Sequence, residues 1–425
     1  MDQGRDTIPA DPGAPTASTL SRGTSQAGVR LYNERLVLSL LRRHGRLSKI
    51  EIARLTGLSP QTTTTIVNRL ERERLVLPGE PRRGRVGQPA VPYALNPDGA
   101  FSLGLAIGRR SAEVVLMDFA AGLRRRRRST YPIPDAARVM AFALEALEAV
   151  AEVLAPLDRG RLAGLGVAMP FDLWSWEEEL GIPAGALEAW RRIDVRQALA
   201  ARVAPLPVYV FNDATAACAA ELSFGQEGRC RRDFLYVYLG AFIGGGLVLD
   251  GQLFPGRTGN AGAIGSMPVL PPRGASAPQQ LLRTASLYAL ERRLVAAGLD
   301  ASAIWLSPDD WRGFGAPLEA WLDEAAASLA QAVVAANAVI DFEAVVMEGA
   351  VPRDVRARLV ARVAERLAAL DRQGLSAFEV VEGSIGRDAR AVGAASLPLL
   401  ASFARDREVL FKAALVQGGG GVRAA

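Results

Sequence analysis

Apolar side chains recur at helical spacing along the first hundred residues, and short polar signals punctuate them. Leu36, Val37, Leu40 and Leu41 predict a first helix over 30–43, closed at Gly45. Ser48 with Glu51 three residues on is a capping box, and Ile52, Ala53 and Leu55 give the short helix it opens an apolar side. Gly57 ends that helix, because a left-handed residue is needed there. Leu58 plugs the turn, Ser59 caps a third helix, and Pro60 fits its first position, where no N–H is needed. In that helix, from 60 to about 74, Thr63, Ile66, Val67 and Leu70 share one face. A strand starts at 75–77, a glycine-punctuated loop spans 81–89, and 91–95 returns as a second strand. The pattern is that of a winged helix-turn-helix.

The outward residues of the third helix are Gln61, Thr62, Thr65, Asn68, Arg69 and Arg72. Four consecutive threonines cost roughly 2 kcal/mol of helix propensity, so packing must hold the helix. Short hydrogen-bonding groups at the N-terminal end of a recognition helix suit base edges in a major groove. The plainer alternative is a polar helix on an ordinary α-helical domain. Arg82, Arg83 and Arg85 on the wing suit a narrow minor groove or phosphates, or form a solvated basic turn.

The pattern changes after a linker at 96–99. Buried-strand runs at 101–108, 112–119 and 123–131 precede an amphipathic helix over 135–154, a strand ending at Pro170, and a strand over 208–211 with Asn212-Asp213 at its end. Five successive arginines, 124–128, alternate faces of the third strand, as on an exposed edge. Three strands, at 234–240, 245–251 and 252–254, then restart the pattern. Helices follow near 278–297 and 316–339, then alternating strand and helix to 402. A doubled arrangement of this kind points to two α/β lobes with a cleft between them.

At 425 residues, two or three domains are expected. No apolar run reaches membrane-spanning length and no secretory leader is evident, which predicts a cytoplasmic protein without a membrane partner. Cys218 and Cys230 cannot build a disulfide framework or a cysteine zinc site, and the single histidine, His44, belongs to a helix end. Residues 1–92 carry 15 Lys+Arg against 8 Asp+Glu (net +7), leaving 35 against 37 downstream (net −2). The positive excess therefore surrounds the helix-turn-helix, as phosphate contacts require.

The layout resembles the ROK family (repressors, open reading frames and kinases), on its transcriptional-repressor side. The matching residues are Asn212-Asp213-Ala214 after a strand, LGAFIGGGLVLDGQLF at 239–254 and RTGNAGAIGSMPV at 257–269. The resemblance implies an α/β fold: an α+β winged helix before a two-lobed actin/Hsp70/sugar-kinase-like (ribonuclease H-like) module. The implied division is a disordered 1–25, a DNA-binding domain at 26–96, a ligand and dimerisation domain at 100–405 and a tail at 406–425. The kinases of the family close an Asp-x-Gly-Gly-Thr loop on ATP, where this chain has Ala106-Ile107-Gly108-Arg109-Arg110. Their Gly-Thr-Gly phosphate turn is here Gly240-Ala241-Phe242. Their sugar-holding Glu-x-Gly-His is Ala263-Ile264-Gly265-Ser266, and their zinc loop has neither cysteine nor histidine.

What survives is the catalytic-base position Asp213, beside Asn212. Without phosphate loops it has no phosphoryl group to serve. Asn212, Asp213, Ser266, Trp176 and Glu178 are therefore the candidate ligand-binding residues. Asp213 as a plain helix cap, and Trp174, Trp176 and Trp190 as core or dimer contacts, stay open as alternatives. The implied function is a sequence-specific regulator, a repressor of sugar genes, that binds a duplex operator as a homodimer or dimer of dimers. It would answer to a carbohydrate effector and be no enzyme, with neither cofactor nor metal. The alternatives are an active ATP-dependent sugar kinase with a DNA-binding extension, and a constitutive DNA binder.

Overall fold

The computed structural model describes residues 26–81, 90–171, 173–270, 277–306 and 309–404. The expected disordered N-terminus, the wing residues Arg82, Arg83 and Arg85, and the tail lie outside the described residues.

The N-terminal unit contains α1 (Gln26–His44), β1 (Leu47–Ser48), α2 (Lys49–Thr56), α3 (Pro60–Arg72), β2 (Val76–Pro78) and β3 (Pro92–Leu95), with an antiparallel sheet in the order β1-β3-β2. The local signals act as read. Ser48 and Glu51 form a reciprocal capping box, Gly57 is left-handed at φ 70°, and the Ser59 side chain accepts from the Thr62 N–H. Thr63, Ile66, Val67 and Leu70 are buried, whereas Leu55, assigned to the apolar side of α2, is exposed.

The next unit is two lobes of one topology. The first sheet runs β6-β5-β4-β7-β8, built from β4 (Phe101–Ile107), β5 (Ser111–Asp118), β6 (Leu123–Thr130), β7 (Leu162–Met169) and β8 (Val208–Asn212). The second runs β11-β10-β9-β14-β15, built from β9 (Phe234–Leu239), β10 (Gly244–Leu249), β11 (Gln252–Phe254), β14 (Ala344–Gly349) and β15 (Glu379–Glu382). A short β12–β13 pair (Pro268–Val269 with Gln279–Gln280) lies apart from both. In each large sheet the first three strands are antiparallel and the last two join in parallel, so the doubling expected from the sequence is a repeat of strand order. The arginine-rich β6 is an edge strand, as its alternation predicts. Arg124 pairs with Asp98 and Asp118, and Arg126 with Glu113 and Asp388. The helix expected over 278–297 is broken at Ser286, which stays extended so that its Oγ accepts from the Ile243 N–H at 2.9 Å.

The linker at 96–99 is a fixed turn rather than a loose tether. Asn96 donates to the Arg74 carbonyl at 2.6 Å, and the Asp98 carbonyl accepts from Arg161 at 2.7 Å. The winged unit and the first lobe share one apolar core, in which Val37, Leu41, Ile66 and Leu70 are continuous with Phe119, Ala220 and Leu399. Arg42 of α1 is buried between the rings of Phe119 (5.7 Å) and Phe224 (5.9 Å), and burial lowers its pKa to about 10. Two long helices, Asp213–Phe224 and Ala389–Phe403, pack side by side beneath that junction.

Candidate nucleic-acid interface and interlobe cavity

The exposed side of α3 presents Gln61, Thr62, Thr65, Asn68 and Arg72. The Thr62 hydroxyl lies 2.8 Å from that of Ser59, and the Thr65 hydroxyl donates to the Gln61 carbonyl at 3.0 Å. Lys49, which the sequence did not single out, donates to the Asn68 side-chain oxygen at 2.7 Å and thereby ties α2 to α3. Arg69 differs from expectation. Its guanidinium is held by Glu73 at 2.8 Å and Glu34 at 3.4 Å, so it is part of the unit's own ion-pair network.

At the floor of the interlobe cleft a cavity of about 160 Å3 gathers Asn212, Asp213, Ser266 and Trp176, together with Arg109, Tyr238, Phe242 and Asn260. Glu178 is not among its lining residues and is exposed on a short helix. Its neighbour Glu177 instead accepts from the Gly185 and Leu187 N–H groups, which folds that segment. Of the three tryptophans, Trp190 is core, its indole donating to the Pro134 carbonyl at 2.6 Å, and Trp174 packs against the same core. Trp176 alone reaches the cavity, edge-on to Phe242 at 5.1 Å.

Both residues accept the Ala214 N–H at 3.0 Å, and Asp213 carries an ion pair besides. Asn212 is the helix cap, its oxygen accepting from the Ala214 (3.0 Å) and Thr215 (3.4 Å) N–H groups. Asp213 is the first residue of that helix, and its Oδ2 faces Arg390 at 3.4 Å. Arg390 lies 177 residues away in sequence and carries no local signal, so reading the sequence missed it. Tyr238 and Asn260 were missed for the same reason.

The 108–110 turn carries two arginines packed on aromatic rings. Arg109 lies on the Phe242 ring at 4.2 Å and near Trp176 at 5.7 Å. Burial lowers its pKa to about 10, with Asp213 opposing the shift, so it stays charged at neutral pH. Arg110 bonds both oxygens of Glu291, at 2.9 and 3.0 Å, and lies over Tyr288 and Trp305. The rings of Trp176, Phe242, Tyr288 and Trp305 thus form a ladder with both arginines on it, joining one lobe to the other. The space left between the 108–110 turn and the Gly240-Ala241 turn is about 50 Å3. That is room for a few waters at most.

Fold and site together define a class: a helix-turn-helix unit docked on a two-lobed sugar-kinase-type domain with arginine and aromatic side chains packed between its lobes. Comparison with known proteins agrees. The ROK family model matches residues 102–400, and a winged helix-turn-helix DNA-binding model matches residues 30–76. The chain belongs to the ROK family. An uncharacterised protein of Sinorhizobium fredii, y4fQ, is 28% identical over 400 residues, covering 91% of this chain and 94% of its own. The xylose repressor of Caldicellulosiruptor bescii is 25% identical over 239 residues, a match that spans 56% of this chain and 58% of the repressor. A solved ROK-family transcriptional regulator, a homologue of the E. coli MLC protein, superposes over 92% of this chain and 98% of its own with a TM-score of 0.61. At 19% identity that likeness concerns the fold.

Proposed function

We propose that this protein is a sequence-specific DNA-binding repressor whose ROK domain binds a small carbohydrate effector and transfers no phosphate. The observation that carries the reading is the plugged seat: Arg109, Arg110 and Phe242 stand where a nucleotide's phosphates need open backbone, and about 50 Å3 remains. A fused winged helix and similarity to a xylose repressor support the regulatory half. Two copies on a twofold operator would supply the base pairs that one winged helix cannot read alone.

A route for control is built into the two packed helices. Each carries one half of the Asp213–Arg390 pair at its cavity end. At their far ends, Phe224 lies against Arg42, and Phe403 against Phe119 at 4.8 Å. A ligand that shifts the Asp213–Arg390 pair thereby moves the seat of α1 and the spacing of paired recognition helices.

Electrophoretic mobility shift of the full-length protein on a DNA fragment enriched from random sequence tests the regulatory half. A sugar that changes DNA affinity supports it, and failure to prefer any fragment over random DNA sinks it. The second reading, a working kinase, keeps a foothold because Asp213 still lines the cavity. Coupled ADP release with ATP, Mg2+ and a sugar panel should stay at the buffer rate, and turnover on any sugar would establish the kinase instead.

On the preferred fragment, Gln61→Ala should cost about 1–3 kcal/mol at one base-pair position and leave other positions alone. Arg83→Ala should weaken binding to all sequences and lower the salt slope by about one. Anisotropy titrations against single-base variants at several salt concentrations separate the two behaviours. A uniform loss from Gln61→Ala would remove it from the base readers.

A further inference from the structure

We infer that the interlobe cavity takes an anionic carbohydrate, a monosaccharide bearing a carboxylate or a phosphate, and that Arg109 receives its charge. The inference rests on the reading of this cavity as the effector site and names the chemistry of its occupant.

The ionised side chains lining the cavity are Arg109 and Asp213. Asp213 pairs with Arg390 at 3.4 Å and also favours the charge on Arg109, so one carboxylate answers two guanidinium groups and a positive charge is left over. Among the described residues Arg109 meets no carboxylate at ion-pair distance, and its guanidinium lies over the rings of Phe242 and Trp176. Its Nε is buried with no hydrogen-bond partner, and so is the Nε of Arg390. A desolvated guanidinium on ring faces recovers only part of what it loses on leaving water. The group that completes such a site is an acceptor with a full negative charge, in the bidentate geometry guanidinium favours.

Position points the same way. Among the described residues Arg109 alone lines both the ligand cavity and the 50 Å3 space beside the 108–110 turn, so it forms the wall between them. A sugar held by Asn212, Asn260 and Ser266 would direct a charged substituent at that wall, where an incoming phosphoryl group would otherwise arrive. At about 160 Å3 the cavity is well below the size of sites for larger ligands, which limits the occupant to one small ring.

The test is isothermal titration calorimetry of the full-length protein without DNA. The probes are matched triplets: glucose, glucose 6-phosphate and glucuronate, and the corresponding sets for galactose and mannose. One anionic member should bind about 10- to 100-fold tighter than its neutral parent, the ratio expected of a charge-assisted over a neutral hydrogen bond. Whether the phosphate or the carboxylate arm wins identifies the source of the charge. Arg109→Gln should bring parent and anion within about twofold of each other, while Arg109→Lys, which keeps the charge, should retain the preference. Neutral parents binding as tightly as the anions, or no anionic member binding at all, overturns the inference. Loss of preference in Arg109→Lys equal to that in Arg109→Gln, with both variants folded by circular dichroism, overturns it as well. An anion that binds but leaves DNA affinity unchanged would instead leave the inference standing and remove the regulatory reading.

Discussion

Gly393→Ala should lower the stability of the folded protein by about 1–3 kcal/mol or more, the range for overpacking a filled interior. Helix propensity alone forecasts the opposite sign, a gain of about 1 kcal/mol, because Gly393 lies inside the Ala389–Phe403 helix. The contact decides between them. A Cβ on Gly393 would lie 1.9 Å from the Ala216 carbonyl oxygen, which is backbone of the neighbouring helix and cannot rotate away. On the other side of the same helix, a Cβ on Gly166 would meet the Ala394 carbonyl at 1.8 Å. The helix is therefore wedged between β7 and its neighbour with no slack on either side. Urea unfolding of the full-length protein reads the sign directly, and a midpoint at or above the wild type would refute so close an approach. Because the two helices also hold Asp213 and Arg390, the alanine variant should lose ligand affinity in calorimetry even where it remains folded.

That wedge shows where sequence reading stops. The winged unit was legible because its signals act within four residues: Ser48 with Glu51, Gly57 at the turn, Ser59 before Pro60. The doubled lobes were legible because each repeats the same run of apolar strands. The small-residue run through Gly393, Ala394 and Ala395 reads as a helix, but nothing local says that Ala216 waits against it. Arg69 looked like an outward cation, and only its approach to Glu34, which lies on a different helix, gives it an internal role. Glu178 looked like a sugar acceptor, and the folding of its segment by Glu177 turns it outward. The plugged seat was half legible. Arg109 and Arg110 stand out where the family resemblance implies Gly-Thr, but the ring ladder that holds them draws on positions 176, 242, 288 and 305.

Arg356→Met should cost about 1 kcal/mol near pH 5 and about 1.4 kcal/mol more at pH 8, where the buried carboxyl of the variant holds a proton that the wild type has released. Glu348 on β14 is fully buried, and Arg356 reaches its Oε1 at 2.6 Å and Glu382 at 3.0 Å. Burial pushes the Glu348 pKa up to about 7, the nearby Glu221 carboxylate adds to the rise, and Arg356 opposes it. The folded pKa thus lies above the unfolded value. The stability this group contributes is fully present below about pH 4.5 and is lost as pH rises through about 7. Removing Arg356 takes away the positive charge that holds the pKa down, so the folded pKa rises further and the loss continues at the same slope to higher pH. At pH 5 the carboxyl is protonated with or without Arg356, and the variant then forfeits about 1 kcal/mol of hydrogen bonding. Adding Glu348→Gln removes the titrating carboxyl, so the double variant should regain the extra deficit at pH 8 and show a flat profile between pH 5 and 8. Urea denaturation of the four proteins at those two pH values completes the cycle. Equal costs of Arg356→Met at pH 5 and pH 8 would mean that Glu348 keeps its charge throughout, and the assignment of a raised pKa to this carboxyl would fall.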